Sequence, residues 1–145
     1  MKVFVNNKEL SEQEVTEKWK DGQLAVDPSH LQTGENVLEI LYNNKYNTDG
    51  NGLHTSEDSD GDQFIYCQNE PYHLNRVLPI FDQPDLKARA TFHIMRPNDW
   101  QVISNTQDEI CVKSSEFKAE SEFEKRVQDL CKENFDEDKH YMRFG

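Results

Sequence analysis

Apolar and polar residues alternate over much of the chain and predict a protein built from short β-strands. Residues 2–10 are predicted to form a hairpin, because they alternate on either side of Asn6 and Asn7, which favour a tight turn. Further strands are predicted over residues 24–28, 34–44, 63–68, 86–97 and 99–105. We therefore expect a mainly β fold, either a curved antiparallel sheet or a sandwich.

Two segments show helical patterning instead. Residues 11–23 are predicted to form a short helix, since Ser11 and Glu14 make an S-x-x-E start and Gly22 would end it. Residues 116–135 are predicted to form a C-terminal amphipathic helix with a capping pair at Ser121 and Glu124. The apolar stripe of this helix comprises Phe123, Val127, Leu130 and Cys131. The stripe would either fold back onto the domain's own sheet or contact a partner.

The segment 43–62 is rich in Asn, Asp and Gly and is predicted to be a loop. Within it, residues 47–58 resemble a twelve-residue calcium loop, with Asn47, Asp49 and Asn51 at its first three odd positions and Asp58 at the last. His54 stands where an apolar residue is expected, and strands rather than helices are predicted on both sides. A plain acidic loop is therefore favoured over a calcium site.

The charge balance excludes one class of function. The 145 residues include 28 Asp and Glu but only 16 Lys and Arg, for a net charge of −12. We expect no nucleic-acid partner, because phosphate neutralisation needs a basic surface. No apolar run approaches the roughly 20 residues that span a bilayer, and no signal region is recognised, so we expect no membrane insertion and a cytoplasmic location. The distant cysteines Cys67, Cys111 and Cys131 are expected to be reduced thiols.

Motifs for metal binding or nucleophilic catalysis are not found in the sequence. The five histidines are scattered, without H-E-x-x-H or a Cys/His cluster, and no serine lies in G-x-S-x-G. Cys67 lies in an apolar strand, where a buried and unreactive thiol is expected. We therefore expect no catalytic residue, metal ligand or cofactor within this chain.

The segment 64–94 holds much charge between two predicted strands. Glu70 follows the strand that carries Gln68, and a carboxylate at a strand end can bind a cation such as an ammonium group. Alternatively, Glu70 pairs with Arg76 or Lys87 and only stabilises the turn, which the residues alone favour.

Several blocks of sequence resemble a known family in order and spacing. They are GLH at 52–54, FIYCQNEP at 64–71, RVLPIFDQPDLKARATFHI at 76–94 and DWQVISN at 99–105. Together they are similar to the N-terminal β domain of the zinc aminopeptidases that include aminopeptidase N, puromycin-sensitive aminopeptidase and leukotriene hydrolase. The resemblance implies a saddle-shaped sheet that lies against a separate catalytic domain. It also implies that Gln68 lines the first specificity pocket and that Glu70 binds the substrate's free α-amine. Arg76, Asp82 and Asp85 would then brace the turn between the strands.

The resemblance ends near residue 110, so we expect a partial aminopeptidase-type β domain over residues 1–110 and a divergent tail over 111–145. The family's G-x-M-E-N and H-E-x-x-H motifs are absent from the sequence, so zinc would come only with a catalytic domain supplied by another chain.

The favoured hypothesis is a non-catalytic structural subunit of a larger protein assembly, with Phe123, Val127 and Leu130 as partner contacts. The alternative is a split or partial N-terminal piece of an active zinc aminopeptidase that contributes Glu70. A third hypothesis is a calcium-responsive binding module that uses residues 47–62.

Overall fold

The computed structural model describes residues 1–134 and 139–145. They form two units, Met1–Leu86 and Lys87–Gly145, which are described separately. The regular structure of both units is mostly antiparallel strand, which confirms the predicted mainly β class. Within the described ranges, no helix has the length and apolar character needed to cross a membrane.

The first unit begins with the predicted hairpin. Strands β1 (Lys2–Val5) and β2 (Lys8–Glu9) pair around Asn6 and Asn7, both of which have positive φ. Asn tolerates this left-handed conformation better than most residues, which explains why the chain turns there. Strand β5 (Leu38–Leu41) pairs antiparallel with the other edge of β1. The result is a three-stranded sheet in the order β2-β1-β5.

Helix α1 (Glu12–Lys18) covers this sheet and starts as predicted, since the Ser11 hydroxyl accepts a hydrogen bond from the Glu14 N–H at 3.2 Å. The helix ends before Gly22, because the chain continues as a small hairpin of β3 (Trp19–Lys20) and β4 (Gln23–Leu24). A core cluster forms between helix and sheet from Val3, Val5, Leu10 and Val15.

A second hairpin in this unit carries the candidate site. Its strands β6 (Gly52–Glu57) and β7 (Gln63–Gln68) pair antiparallel in full register, from Gly52 opposite Gln68 to Glu57 opposite Gln63. The bounds of β7 match the prediction. Strand β6 corrects the prediction that 43–62 is a continuous loop. Its polar residues lack the alternation of a strand, and it is extended because it pairs with β7.

The second unit contains β8 (Phe92–Pro97), β9 (Asp108–Lys113) and β10 (Lys139–Phe144), in the order β8-β10-β9. Tyr141 of β10 is fully buried, and its ring stacks on Phe117 with centroids 3.7 Å apart. The prediction of a strand over 99–105 is wrong. The strand that was predicted to start at residue 86 begins only at Phe92. Neither β9 nor β10 was predicted.

Helix α2 (Glu122–Asn134) lies within the predicted range 116–135, but it starts later and residue 135 lies outside the described residues. The predicted capping pair is present, because the Ser121 hydroxyl accepts a hydrogen bond from the Glu124 N–H at 3.1 Å. The expected apolar packing is not confirmed: Phe123 and Leu130 are 57% and 41% exposed, and Val127 is half-buried. The buried side chain is instead Glu124, at 4% exposure.

Candidate functional site

Gln68 and Glu70 lie at the end of the β6–β7 hairpin. Gln68 is the last residue of β7 and pairs with Gly52, while Glu70 begins the turn that follows, and both side chains are exposed. Among the described residues of its own unit, no hydrogen bond or ion pair engages the Glu70 carboxylate. Glu70 is therefore an exposed carboxylate without a partner in its own unit.

The turn after Glu70 is organised by backbone hydrogen bonds. The His73 N–H donates to the Asn69 carbonyl at 2.8 Å, and the Arg76 N–H donates to the His73 carbonyl at 3.1 Å. A 3-10 turn over Leu74–Arg76 follows. These bonds span only a few residues each, so they shape the turn locally. Anchoring to the rest of the unit comes from side chains.

Arg76 anchors the turn to the loop that precedes β6. Its guanidinium donates to the Asp49 carboxylate at 2.9 Å and to the Asn47 amide oxygen at 3.3 Å. In return, the Asn44 amide donates to the Arg76 carbonyl at 2.6 Å. The hydrogen bond from Arg76, followed by one from the Asn51 N–H, holds the pKa of Asp49 below its ordinary value. Arg76 therefore does not neutralise Glu70, which removes one of the two pairings considered from the sequence.

Asp82 and Asp85, which the resemblance groups together, occupy different environments. The Asp82 carboxylate is half-buried and accepts the Asn75 N–H at 3.0 Å, while the Asn75 side chain donates to the Tyr72 carbonyl at 3.1 Å. Asp85 is exposed and has no hydrogen bond or ion pair in the described part of the chain. Neither aspartate meets Arg76.

Gly52 packs closely against this anchor. A Cβ atom at Gly52 would lie 2.8 Å from the Asn47 amide nitrogen and 3.3 Å from the Arg76 Cβ, and the residue has a φ of +69°. Both the conformation and the space therefore favour glycine at the point where β6 starts opposite Gln68. The Arg76 anchor and the strand that ends in Gln68 consequently form one closely packed arrangement.

Metal binding is not supported by the side chains in place. Asn47 and Asp49, two of the residues in the calcium-loop pattern, are engaged by Arg76, and Asp58 accepts the N–H groups of Asp60 and Asp62. No group of three or more His, Cys, Asp or Glu that could hold a metal ion occurs among the described residues. These residues therefore do not fit the zinc of the family.

The expectation that Cys67 is buried is wrong. The side chain lies on β7 and is exposed rather than buried, and Cys111 on β9 is likewise a free, exposed thiol. The β6–β7 hairpin is a two-stranded sheet, so apolar residues on β7 do not imply burial.

The second unit contains a polar cluster that the sequence did not reveal. Arg143 donates to Glu124 at 2.7 Å and to Glu109 at 3.0 Å, and a His93 ring nitrogen lies 2.5 Å from the Tyr141 hydroxyl. A hydrogen bond from the Glu120 N–H, aided by Arg143, keeps the pKa of Glu124 below its ordinary value. Burial lowers the pKa of His93. The cluster attaches helix α2 to β9 and β10.

Around the candidate site, sequence reasoning considered Asn47 and Asp49 only as calcium ligands and missed their bonds to Arg76, and it missed Asn75 altogether. The Asn- and Asp-rich composition of 43–51 signalled many hydrogen-bond acceptors, but it could not tell that their donor is Arg76, 27 residues beyond Asp49. No sequence signal indicated that the Asn75 N–H donates a hydrogen bond to Asp82.

The chain matches a family of peptidase domains. The family model of the Peptidase M1 N-terminal domain matches residues 2–129. The chain therefore belongs to the M1 peptidase N-terminal domain family. The match reaches into α2, beyond residue 110, where the resemblance was expected to end.

The related proteins are M1 aminopeptidases. The chain is similar to Aminopeptidase N of Streptomyces lividans, with 36% identity over 94 residues that cover 64% of this chain and 11% of that protein. It is also similar to the Probable M1 family aminopeptidases 2 and 1 of Encephalitozoon cuniculi (strain GB-M1), with 36% and 35% identity over 83 residues, covering 57% of this chain and 9% of each relative. The chain thus spans about a tenth of the length of these relatives. No solved structure matches significantly.

Proposed function

We propose that this chain contributes the amine-recognition part of an M1 aminopeptidase, in which the Glu70 carboxylate binds the α-ammonium group of a peptide substrate. The observation that carries the proposal is the exposed Glu70 carboxylate, which has no partner within the described residues of its unit while the nearby cation Arg76 is paired with Asp49. Gln68, two residues earlier, would line the pocket for the substrate's first side chain.

The chemistry of an exopeptidase supports this assignment. Such an enzyme must distinguish a free amino terminus from an internal peptide bond, and the positive charge of the terminus is the clearest difference. A carboxylate gives an ammonium group a short, charge-assisted hydrogen bond, which is roughly twice as strong as a neutral one. A carboxylate fixed at the end of a strand also sets how far along the substrate the reacting bond lies.

Catalysis itself is not assigned to these residues. The described residues offer no zinc ligand set, so bond cleavage would depend on other parts of a complete enzyme. In this proposal the chain binds and orients the substrate.

The test is an NMR titration of the whole chain with L-leucinamide, which carries an ammonium group, and with N-acetyl-L-leucinamide, which does not. We expect leucinamide alone to shift the amide resonances of residues 68–70. Glu70→Gln should weaken this binding by about 10-fold or more, because it replaces a charge-assisted hydrogen bond by a neutral one.

Asp85→Asn is the matched control, since it removes the same charge from an exposed aspartate without hydrogen bonds in the described part of the unit. It should leave binding unchanged. Equal binding of both amides, or equal losses in the two variants, would contradict the proposal. Co-expression with the Streptomyces lividans enzyme lacking its matched segment then tests whether the chain restores hydrolysis of leucine anilides.

A second function, a non-catalytic subunit of a larger protein assembly, is supported by a different observation. Large apolar side chains are exposed in both units, including Phe81 at 82%, Ile103 at 92% and Phe123 at 57%. Large apolar side chains that are this exposed can supply contacts in a protein interface. In this proposal Phe123, Val127 and Leu130 contact the partner, and Gln68 and Glu70 need bind nothing.

Sedimentation and thermal unfolding of the isolated chain test this second function. We expect self-association that decreases in a Phe123→Ser/Leu130→Ser variant. A monomer with a sharp unfolding transition would count against it.

A further inference from the structure

The orientation of Glu70 depends on a chain of hydrogen bonds rather than on a core. Pro71, Tyr72 and Asn75 in the turn after Glu70 are all exposed. Burial of apolar side chains therefore does little to hold the segment between β7 and the 3-10 turn. Where burial is small, the hydrogen bonds that the turn makes decide how well its conformation is defined.

Besides the Arg76 anchor, one path of hydrogen bonds leads from this turn to the Asp82 carboxylate. Asp82 accepts the Asn75 N–H at 3.0 Å, across seven residues. The Asn75 amide group donates to the Tyr72 carbonyl at 3.1 Å, and the neighbouring His73 N–H donates to the Asn69 carbonyl at 2.8 Å. Asn69 directly precedes Glu70. Three consecutive hydrogen bonds thus connect Asp82 to the peptide that carries the exposed carboxylate.

We infer that Asp82 is a positioning residue for substrate-amine recognition: through Asn75 and the Tyr72–His73 peptide it holds the turn in the conformation that presents Glu70. This inference rests on the proposed amine-binding function. It separates Asp82 from Asp85, which the sequence resemblance had grouped as a single brace. Asp82 touches no substrate in this scheme and acts only through Glu70.

The expected magnitude follows from the population of the competent conformation. A ligand that binds only one conformation has its affinity reduced in proportion to the fraction of the protein in that conformation. Removing one hydrogen bond of ordinary strength lowers the equilibrium constant for forming that conformation by about five-fold, which is also the largest factor by which the competent fraction can fall. Asp82→Ala should therefore weaken leucinamide binding by a measurable factor of at most about five-fold, less than Glu70→Gln does.

A double-mutant cycle distinguishes positioning from a general structural effect. Leucinamide binding is measured by NMR for the whole chain and for Glu70→Gln, Asp82→Ala and the double variant. We expect Asp82→Ala to have no further effect in the Glu70→Gln background, because the group that it orients is already gone. Asp85→Ala is the control and should bind as the unmodified chain does.

The outcomes separate this inference from the proposed function. If Glu70→Gln weakens binding but Asp82→Ala does not, or if the two losses add, the positioning role is overturned and amine recognition stands. If Glu70→Gln has no effect, the proposed function fails. Amide hydrogen exchange within residues 69–73 then tests whether Asp82 holds the turn. Faster exchange in Asp82→Ala but not in Asp85→Ala supports the positioning role. Unchanged exchange in Asp82→Ala overturns that role.

If Asp82→Ala does not fold, Asn75→Ala replaces it. This variant removes the bond to the Tyr72 carbonyl but keeps the backbone N–H that Asp82 accepts. The same non-additivity with Glu70→Gln is expected.

Discussion

Substitution of Gly52 by alanine tests the close packing behind the candidate site. Gly52 starts β6 opposite Gln68, and its φ of +69° is a conformation that alanine adopts only at a cost of about 1–2 kcal/mol. The added Cβ would also lie 2.8 Å from the Asn47 amide nitrogen. Asn47 would have to move, and its hydrogen bond from Arg76 at 3.3 Å would be lost.

The same hairpin offers a matched control at Gly61. This residue also has a positive φ, +87°, but a Cβ there would have no atom within 4 Å. Gly61→Ala therefore measures the conformational cost alone, about 1–2 kcal/mol. Loss of a hydrogen bond and the tight contact with Arg76 add about 1 kcal/mol at Gly52, so we expect Gly52→Ala to destabilise the hairpin by about 2–3 kcal/mol.

Amide hydrogen exchange in β6 and β7, measured by NMR, reports the free energy of opening for this hairpin without assuming that the two units unfold together. Gly52→Ala should reduce protection by more than Gly61→Ala, and the Gln68 amide should be affected by Gly52→Ala. Equal losses in the two variants would show that the space around Gly52 does not matter. The steric argument, and with it the closely packed arrangement of Arg76 and β7, would then be wrong.

Two further predictions concern the stability of each unit. In the second unit, burial lowers the pKa of His93 below its ordinary 6.5. The free energy of unfolding should therefore be highest above pH 6.5 and fall as the pH drops through the folded-state pKa of His93. The pKa of Glu124 is held below 4.5, so its protonation lowers the free energy of unfolding further at lower pH. Urea unfolding followed through β10 resonances at several pH values should show this decline, and constant stability would contradict it. In the first unit, Val5→Ala at 2% exposure should cost about 2–3 kcal/mol in urea unfolding, whereas Val37→Ala at 57% exposure should stay within about 0.5 kcal/mol. Equal effects would mean that the core does not lie between β1 and α1.

Elements whose signals are local can be predicted from the sequence. The turn at Asn6 and Asn7, the Ser11 cap of α1 and the bounds of β7 all depend on residues within a few positions of one another. The mainly β class and the family resemblance followed from the same short-range patterns. The position of Glu70 just beyond a strand is likewise evident from the sequence.

Contacts between groups that are distant in sequence depend on the folded chain. β6 is a strand because β7 lies beside it, since its own residues do not alternate. Arg76 pairs with Asp49 rather than with Glu70, although the sequence offered both carboxylates. Helix α2 buries Glu124, which meets Arg143, 19 residues further along, whereas Phe123 and Leu130 of its apolar stripe are exposed.

The physical reason is that a local pattern limits backbone conformation but not the choice of a distant partner. An acidic chain presents many equivalent carboxylates to few cations, and their relative energies depend on distances that only the folded chain defines. The sequence therefore identified Glu70 as a candidate ligand-binding group. The fold left that group without a partner in its own unit and connected its turn to Asp82.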